Sequence, residues 1–294
     1  MEKASFYEHI KGNKRNSVFL VSIVIGVIIF LGYIIGLLFI TPAAGVSMAI
    51  IIAIIFTLLG YYTGDNLVLS SAGAREAKKE EYPYLINTVE GLSIASGLPA
   101  PKIYVIDDNA INAFATGRDP EHASVAVTTG ALEKLNRSEL EGVLGHEMSH
   151  INNYDVRFMM LTTVLVGVVV LLADFMMRSM FFGGRRDREG GNAQLILIVV
   201  ALVFAILSPI FMQLIVFAVS RKREFLADAS GAMLTRHPQG LADALKKIKD
   251  DNTKPSRTAN KAMAHMYISN PFKGKHLWST HPNVDERIKR LEGM

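Results

Sequence analysis

Long uncharged runs alternate along the chain with polar stretches of mixed charge. The first run, Val18 to Ile40, follows a polar segment carrying Lys3, Lys11, Lys14 and Arg15. As a helix rising about 1.5 Å per residue, it crosses a bilayer core of about 30 Å. A cleaved signal peptide would have a shorter apolar region and a small-residue cleavage site, so a retained transmembrane helix is expected. Thr41-Pro42-Ala43-Ala44-Gly45 reads as a tight turn, and Val46 to Tyr62 as a second span. Arg75, Lys78 and Lys79 after that span match Lys11, Lys14 and Arg15 before the first. The positive-inside rule then puts both flanks of a hairpin unit, residues 1–70, in the cytoplasm. Gly32 and Gly36 form a GxxxG pair, a weak contact signal where glycine is frequent.

From residue 71 to 157 the pattern becomes that of a soluble unit. Pro83 can open a helix carrying Leu85, Ile86, Val89, Leu92 and Ile94, which stops at Gly97-Leu98-Pro99. Ile103 to Ile106, Ala110 to Thr116 and Ser124 to Thr128 are short and β-prone, separated by turn residues, and predict a small, mostly antiparallel sheet. Asn112, Ala113 and Phe114 form either an exposed edge able to pair with an extended peptide or an interior hairpin strand. A helix is expected from Ser138 to Arg157, with Ser138 as N-cap and Glu141 completing a capping box.

A third apolar run, Phe158 to Met177, follows almost without a break, and a fourth extends from Leu195 to Val219 with a kink expected at Ser208-Pro209. Between them lies a glycine-rich loop with Arg185, Arg186 and Arg188, whose charges oppose the positive-inside trend. Full spans are preferred for this unit, 158–219, with a re-entrant or protein-covered hairpin as the alternative. Residues 220–294 return to soluble composition, with one amphipathic helix through Leu241, Ala244, Leu245 and Ile248. A last helix carries Val284, Ile288 and Leu291 behind a cap at Thr280-His281-Pro282. The fold class expected is a membrane protein, mainly α, with about four hydrophobic helices and a cytoplasmic α+β domain holding a small antiparallel sheet.

Composition sharpens this picture. Half of the 294 residues are hydrophobic and 20% are charged, and the apolar excess sits in blocks, as membrane spans require. There are no cysteines, which excludes disulfides, thiolate metal sites and cysteine nucleophiles. Any metal must use His, Asp or Glu. The net charge of +4 comes without an aromatic-interleaved basic patch, so no nucleic-acid partner is expected.

The candidate chemistry lies at His146-Glu147-Met148-Ser149-His150. Histidines four apart on a helix share a face and can place two imidazole nitrogens on one ion, with Glu147 beside it. The competing reading is a chance pattern of surface histidines. A zinc site needs a third protein ligand. If the third and fourth runs leave and re-enter the cytoplasm, His150 stands about 12 Å of helix before Phe158 and Glu224 about 7 Å beyond Val219. Their similar height supports Glu224 as ligand, the alternative being one more interfacial charge amid three basic residues. Asp228, one turn on, becomes an acceptor that orients a ligand histidine. His237, His265 and His276 have no spacing partner and read as surface or packing residues.

The strings His146 to Asp155, Glu224 to Asp228, and Ser279-Thr280-His281-Pro282 with Arg287 resemble the HtpX family of membrane zinc metalloproteases, which are more distantly related to CAAX prenyl proteases. The resemblance implies a zincin-like domain with one zinc ion held by His146, His150 and Glu224, and Glu147 as general base. It further implies that His281 stabilises the oxyanion, and that Asp228 and Arg287 support the site. It also implies a bacterial inner-membrane role in quality control under stress, acting on misfolded or damaged membrane proteins. The expected partners are polypeptide substrates and the lipid bilayer. A catalytically silent scaffold that binds polypeptides would show a broken metal set, whereas the ligands and base are all present. A transporter would place ionisable groups within its spans, where Asp174 stands nearly alone.

Overall fold

The computed structural model describes residues 6–39, 41–164, 221–251, 266–268 and 282–294. The fourth apolar run and all but the first residues of the third lie outside the described residues, as does His281.

Two long helices, α1 (Phe6–Phe39) and α2 (Pro42–Ser71), form the N-terminal hairpin. Thr41 caps α2 by accepting a hydrogen bond from the Ala44 backbone, and Pro42 fills the first helical position, where a missing N–H costs nothing. Among the described residues, two stretches are long and apolar enough to cross a membrane, Lys11–Phe30 and Pro42–Ser71. Phe19, Phe30, Ile51, Ile54 and Leu58 point outward from them. Such a surface suits lipid rather than water. The GxxxG signal is a true helix contact. A Cβ on Gly45 would come within 2.2 Å of the Gly32 carbonyl and 2.6 Å of the Gly36 Cα, so only glycine permits the crossing.

α2 continues well past Tyr62 and buries Val68 and Leu69 against the soluble part. There the chain turns into a strand the sequence did not predict, β1 (Ala74–Glu76). Next comes α3 (Pro83–Ser96), closed by left-handed Gly97 at φ 70° as the punctuation implied. Its buried face uses Leu85, Val89, Leu92 and Ser93, whereas Ile94 is 84% exposed and does not belong to it. The other strands are β2 (Lys102–Ile106), β3 (Ala113–Gly117) and β4 (Ala123–Thr128).

Strand order is β1-β2-β4-β3. The sheet is mixed, which corrects the antiparallel expectation: β1 and β3 run antiparallel to their neighbours, but β2 and β4 pair in parallel, Tyr104 opposite Ala126. The reason is the path of the chain: from β2 it crosses to the edge as β3 and returns by a hairpin as β4 between the two, so β4 runs parallel to β2.

A short α4 (Thr129–Lys134) leads to α5 (Arg137–Asn152), the motif helix. Its capping box is formed by Asn136 and Glu139, two residues ahead of the expected Ser138 and Glu141. Asn136 accepts from the Glu139 backbone, and the Glu139 carboxylate accepts from the Asn136 backbone and from Lys247 Nζ at 2.7 Å. That ion pair with a later helix, invisible in the local pattern, decides between two equivalent boxes. α5 does not run on to Arg157. It ends in a turn where Tyr154 takes a left-handed φ of 59°, and residues 155–164 then form a separate helical stretch. Phe158 to Leu161 in that stretch are buried, and Met160 packs on Gly64 of α2. Beyond the apolar runs come α6 (Arg221–Thr235), α7 (Pro238–Asp250) and α8 (Val284–Glu292). α8 is capped by Asn283 rather than by Thr280 or His281, the Asn283 side chain accepting from the Asp285 backbone.

Candidate metal centre

Two helices that cross at glycines build the site. A Cβ on Gly231 of α6 would meet the His146 backbone nitrogen at 2.8 Å, and one on Gly145 of α5 would meet Thr235 Cγ2 at 2.9 Å. The backbones therefore approach closely enough for short side chains to meet. Glu224 and Asp228, one turn apart on α6, face His146 and His150, one turn apart on α5. His146 Nε2 and His150 Nε2 lie 3.2 Å apart. Glu224 Oε2 is 3.8 Å from the first and Glu224 Oε1 is 3.6 Å from the second. One ligand atom from each of the three falls within 4.8 Å of the others, and all three residues are buried.

The donor set fits a metal ion on its own chemistry. His146 Nδ1 lies 3.0 Å from Asp228 Oδ1, and His150 Nδ1 lies 3.0 Å from Asp155 Oδ2. Carboxylates accept, so each Nδ1 carries the proton and each Nε2 turns a lone pair inward. Two such lone pairs and a carboxylate, converging out of water, repel one another unless a proton or a metal cation lies among them. Imidazole nitrogens with a carboxylate oxygen and no thiolate form a donor set suited to zinc.

A second layer holds the donors. Arg287 of α8, fully buried, donates from Nε to Asp228 Oδ2 at 2.8 Å and from Nη2 to Asp228 Oδ1 at 2.7 Å. Its Nη1 donates to the Ile268 carbonyl at 3.3 Å and lies 3.5 Å from Glu224 Oε2. Burial acts against the charge on Asp228, but the guanidinium and the His146 hydrogen bond outweigh it and hold the carboxyl below its usual range. The two histidines diverge. Burial pushes His146 down, while for His150 the Asp155 and Glu224 carboxylates overcome burial and raise it to about 9 in the metal-free protein.

Glu147 points toward the same space from the next position on α5. Burial pushes its carboxyl up to about 7. The Ala115 backbone of β3 acts the other way, and Oε2 is buried with no hydrogen-bond partner among the described residues.

The structure thus brings together His146, Glu147, His150, Glu224, Asp228 and Arg287. Asn112, Ala113 and Phe114 do lie at a sheet edge, but that part of the edge is in use. Ile268 N–H donates to the Ala113 carbonyl at 3.0 Å, Asn112 Oδ1 accepts from the Ala113 N–H at 3.1 Å, and Phe114 is buried edge-to-face against Tyr267. The sequence reading missed Asp155, Asn13 and the 266–268 segment. Asp155 was within reach: it lies five residues past His150, and a ligand histidine needs an acceptor. Asn13 and Ile268 arrive from distant segments with no local signal.

Comparison with known proteins agrees with this geometry. The model of Peptidase family M48 matches residues 79–294. A Protease HtpX homolog of Dictyoglomus turgidum is 46% identical over all of this chain and 96% of its own length. Another, from Thermoanaerobacter pseudethanolicus, is 42% identical over all of this chain and 99% of its own. The crystal structure of S. mikatae Ste24p superimposes with a TM-score of 0.52 at 19% identity, covering 97% of this chain and 67% of that one, a likeness of fold. The sequence match and the converging His-His-Glu donors lead to one conclusion: the chain belongs to peptidase family M48 and is a metallopeptidase.

Proposed function

We propose that the chain is a membrane-embedded zinc endopeptidase that cuts polypeptides, chiefly misfolded or damaged membrane proteins, at the cytoplasmic face of a bacterial inner membrane. His146, His150 and Glu224 would hold one zinc ion, which, when bound, polarises the peptide carbonyl and acidifies water. Glu147 accepts the proton of the attacking water at Oε2 and returns it to the departing amine. Asp228 and Arg287 keep His146 in one tautomer, and Asp155 does the same for His150. The observation that carries the reading is the buried Glu147 Oε2, without a hydrogen-bond partner among the described residues, on the same helix as the two converging imidazole Nε2 atoms.

An extended substrate adds to β3 beyond the stretch already used. Alternation along the strand turns the backbone of Ala115 and Gly117 outward. His281 is assigned to the oxyanion on the family resemblance, and His281→Ala should lower kcat more than it raises KM. The lipid-facing hairpin and the bacterial HtpX relatives support membrane-protein substrates and a role in quality control under stress.

The reading is tested by casein hydrolysis with detergent-purified protein supplied with zinc. Glu147→Gln should cut the rate by about 10²–10⁴-fold while the zinc content is retained. Equal hydrolysis by wild type and Glu147→Gln would refute it, and no hydrolysis by zinc-loaded wild type would favour a polypeptide-binding scaffold.

A further inference from the structure

The N-terminal hairpin reaches the metal centre through one side chain. Asn13 stands on the polar first part of α1, ahead of the apolar run, yet is only 6% exposed. Its Nδ2 donates to the Asn153 carbonyl at 2.8 Å and to Asp155 Oδ1 at 2.7 Å. An amide nitrogen has two hydrogens, and both are spent here. The other oxygen of that carboxylate, Oδ2, receives the His150 Nδ1 proton at 3.0 Å. Arg223 also pairs with this carboxylate, its Nε 3.8 Å from Oδ1, a longer contact than the Asn13 hydrogen bond.

The Asn153 carbonyl immediately precedes Tyr154, whose left-handed φ of 59° is unfavourable for a bulky residue and must be held by its surroundings. Asn13 therefore grips both the turn that places Asp155 and the carboxylate itself. Lys14, the next residue, lies over the Tyr154 ring at 4.1 Å, a second contact with the turn that does not touch Asp155.

We propose that Asn13 is a positioning residue for the metal: by fixing the Asp155 carboxylate, it orients His150, so that the seating of the first transmembrane helix sets the metal affinity. This inference rests on the metallopeptidase reading of the His146, His150 and Glu224 site. A carboxylate held at both oxygens cannot rotate, and the imidazole bonded to it keeps one tautomer and one plane. With the amide gone, Asp155 can turn about its own axis and the ring turns with it.

Groups that hold a ligand histidine directly are worth about 10–100-fold in metal affinity, and Asn13 acts one bond further out. Asn13→Ala should therefore weaken zinc binding by about tenfold. Asn13→Asp has nearly the same shape but sets a second carboxylate against Asp155, and should weaken it further. Both are read in the full-length protein in detergent, as the zinc dissociation constant by competition with a chromophoric chelator. The visible spectrum of the cobalt-substituted protein, which reports ligand geometry, should shift in both variants.

Two controls separate positioning from mere docking of α1. Lys14→Ala removes the neighbouring contact and should leave zinc affinity and the cobalt spectrum unchanged. In an Asp155→Ala background, Asn13→Ala should cause no further loss, because the route through the carboxylate is already cut. The inference is overturned if both Asn13 variants bind zinc as wild type does, if Lys14→Ala loses as much as Asn13→Ala, or if the Asn13 effect persists without Asp155. Failure of the wild type itself to bind zinc would strike the metallopeptidase reading instead.

Discussion

At the scale of single residues, the site depends on a small set of buried charges that hold one another. Arg287 and Asp228 meet in a two-pronged bond with no access to water. Removing one partner strands the other. Arg287→Ala should cost about 3–5 kcal/mol of stability, measured as a fall in the thermal or denaturant midpoint of the detergent-solubilised protein. Arg287→Lys keeps the charge but loses the planar fork, so it should retain part of that stability while loosening His146 and lowering zinc affinity. His146, Glu147 and His150 were legible in the sequence because helical spacing puts both histidines on one face, and Glu224 and Asp228 pair in the same way. Joining the two groups took the expected height of their helices above the membrane. Asp155 lies close to His150 in sequence but outside the helical spacing that marks the other residues, and Asn13 is hidden because its partners lie 140 and 142 positions away.

At the scale of elements, glycines set how closely helices approach, and that approach decides whether the donors meet. Gly231→Val would force its side chain into the α5 backbone at His146, widening the crossing that brings Glu224 to the histidines. Its expected cost is about 1–3 kcal/mol of overpacking, together with weaker zinc binding in whatever protein still folds. Gly45→Leu drives into the Gly32 carbonyl at the other end of the molecule and should loosen the hairpin. Zinc affinity should survive there better than in Gly231→Val, a comparison read by the same chelator competition. Helix existence was mostly legible here: α3, α7 and α8 have clear amphipathic faces and punctuation. Strand order was not legible, because hairpin adjacency suggests a meander and the hydrophobic pattern does not separate β3 from β4, both of which are buried throughout. The motif helix was overextended for a similar reason. Asn152 to Asp155 looks compatible with a helix, yet the chain must turn there to deliver Asp155 to His150.

At the scale of the whole molecule, the hairpin and the peptidase unit are joined where lipid should give way to water. Arg118 lies over the rings of Tyr61 and Tyr62, and Arg157 over Tyr61 and Tyr154. Tyrosine with arginine is the pairing expected at a membrane interface. The chain has no cysteine, so single introduced cysteines give an uncluttered map. Cysteines at Lys11 and Glu80 should label with an impermeant maleimide from the cytoplasmic side, one at Ala43 from the opposite side, and one at Ile54 from neither. Labelling of Lys11 and Glu80 from opposite sides would break the hairpin topology.

The central claim, that one metal ion is held by His146, His150 and Glu224, is tested most directly by anomalous diffraction at the zinc edge from crystals of the zinc-loaded protein. The account predicts a single strong peak about 2.0–2.2 Å from His146 Nε2, His150 Nε2 and a Glu224 carboxylate oxygen. A peak bonded to the two histidines but not to Glu224, or no peak between them at all, would contradict it.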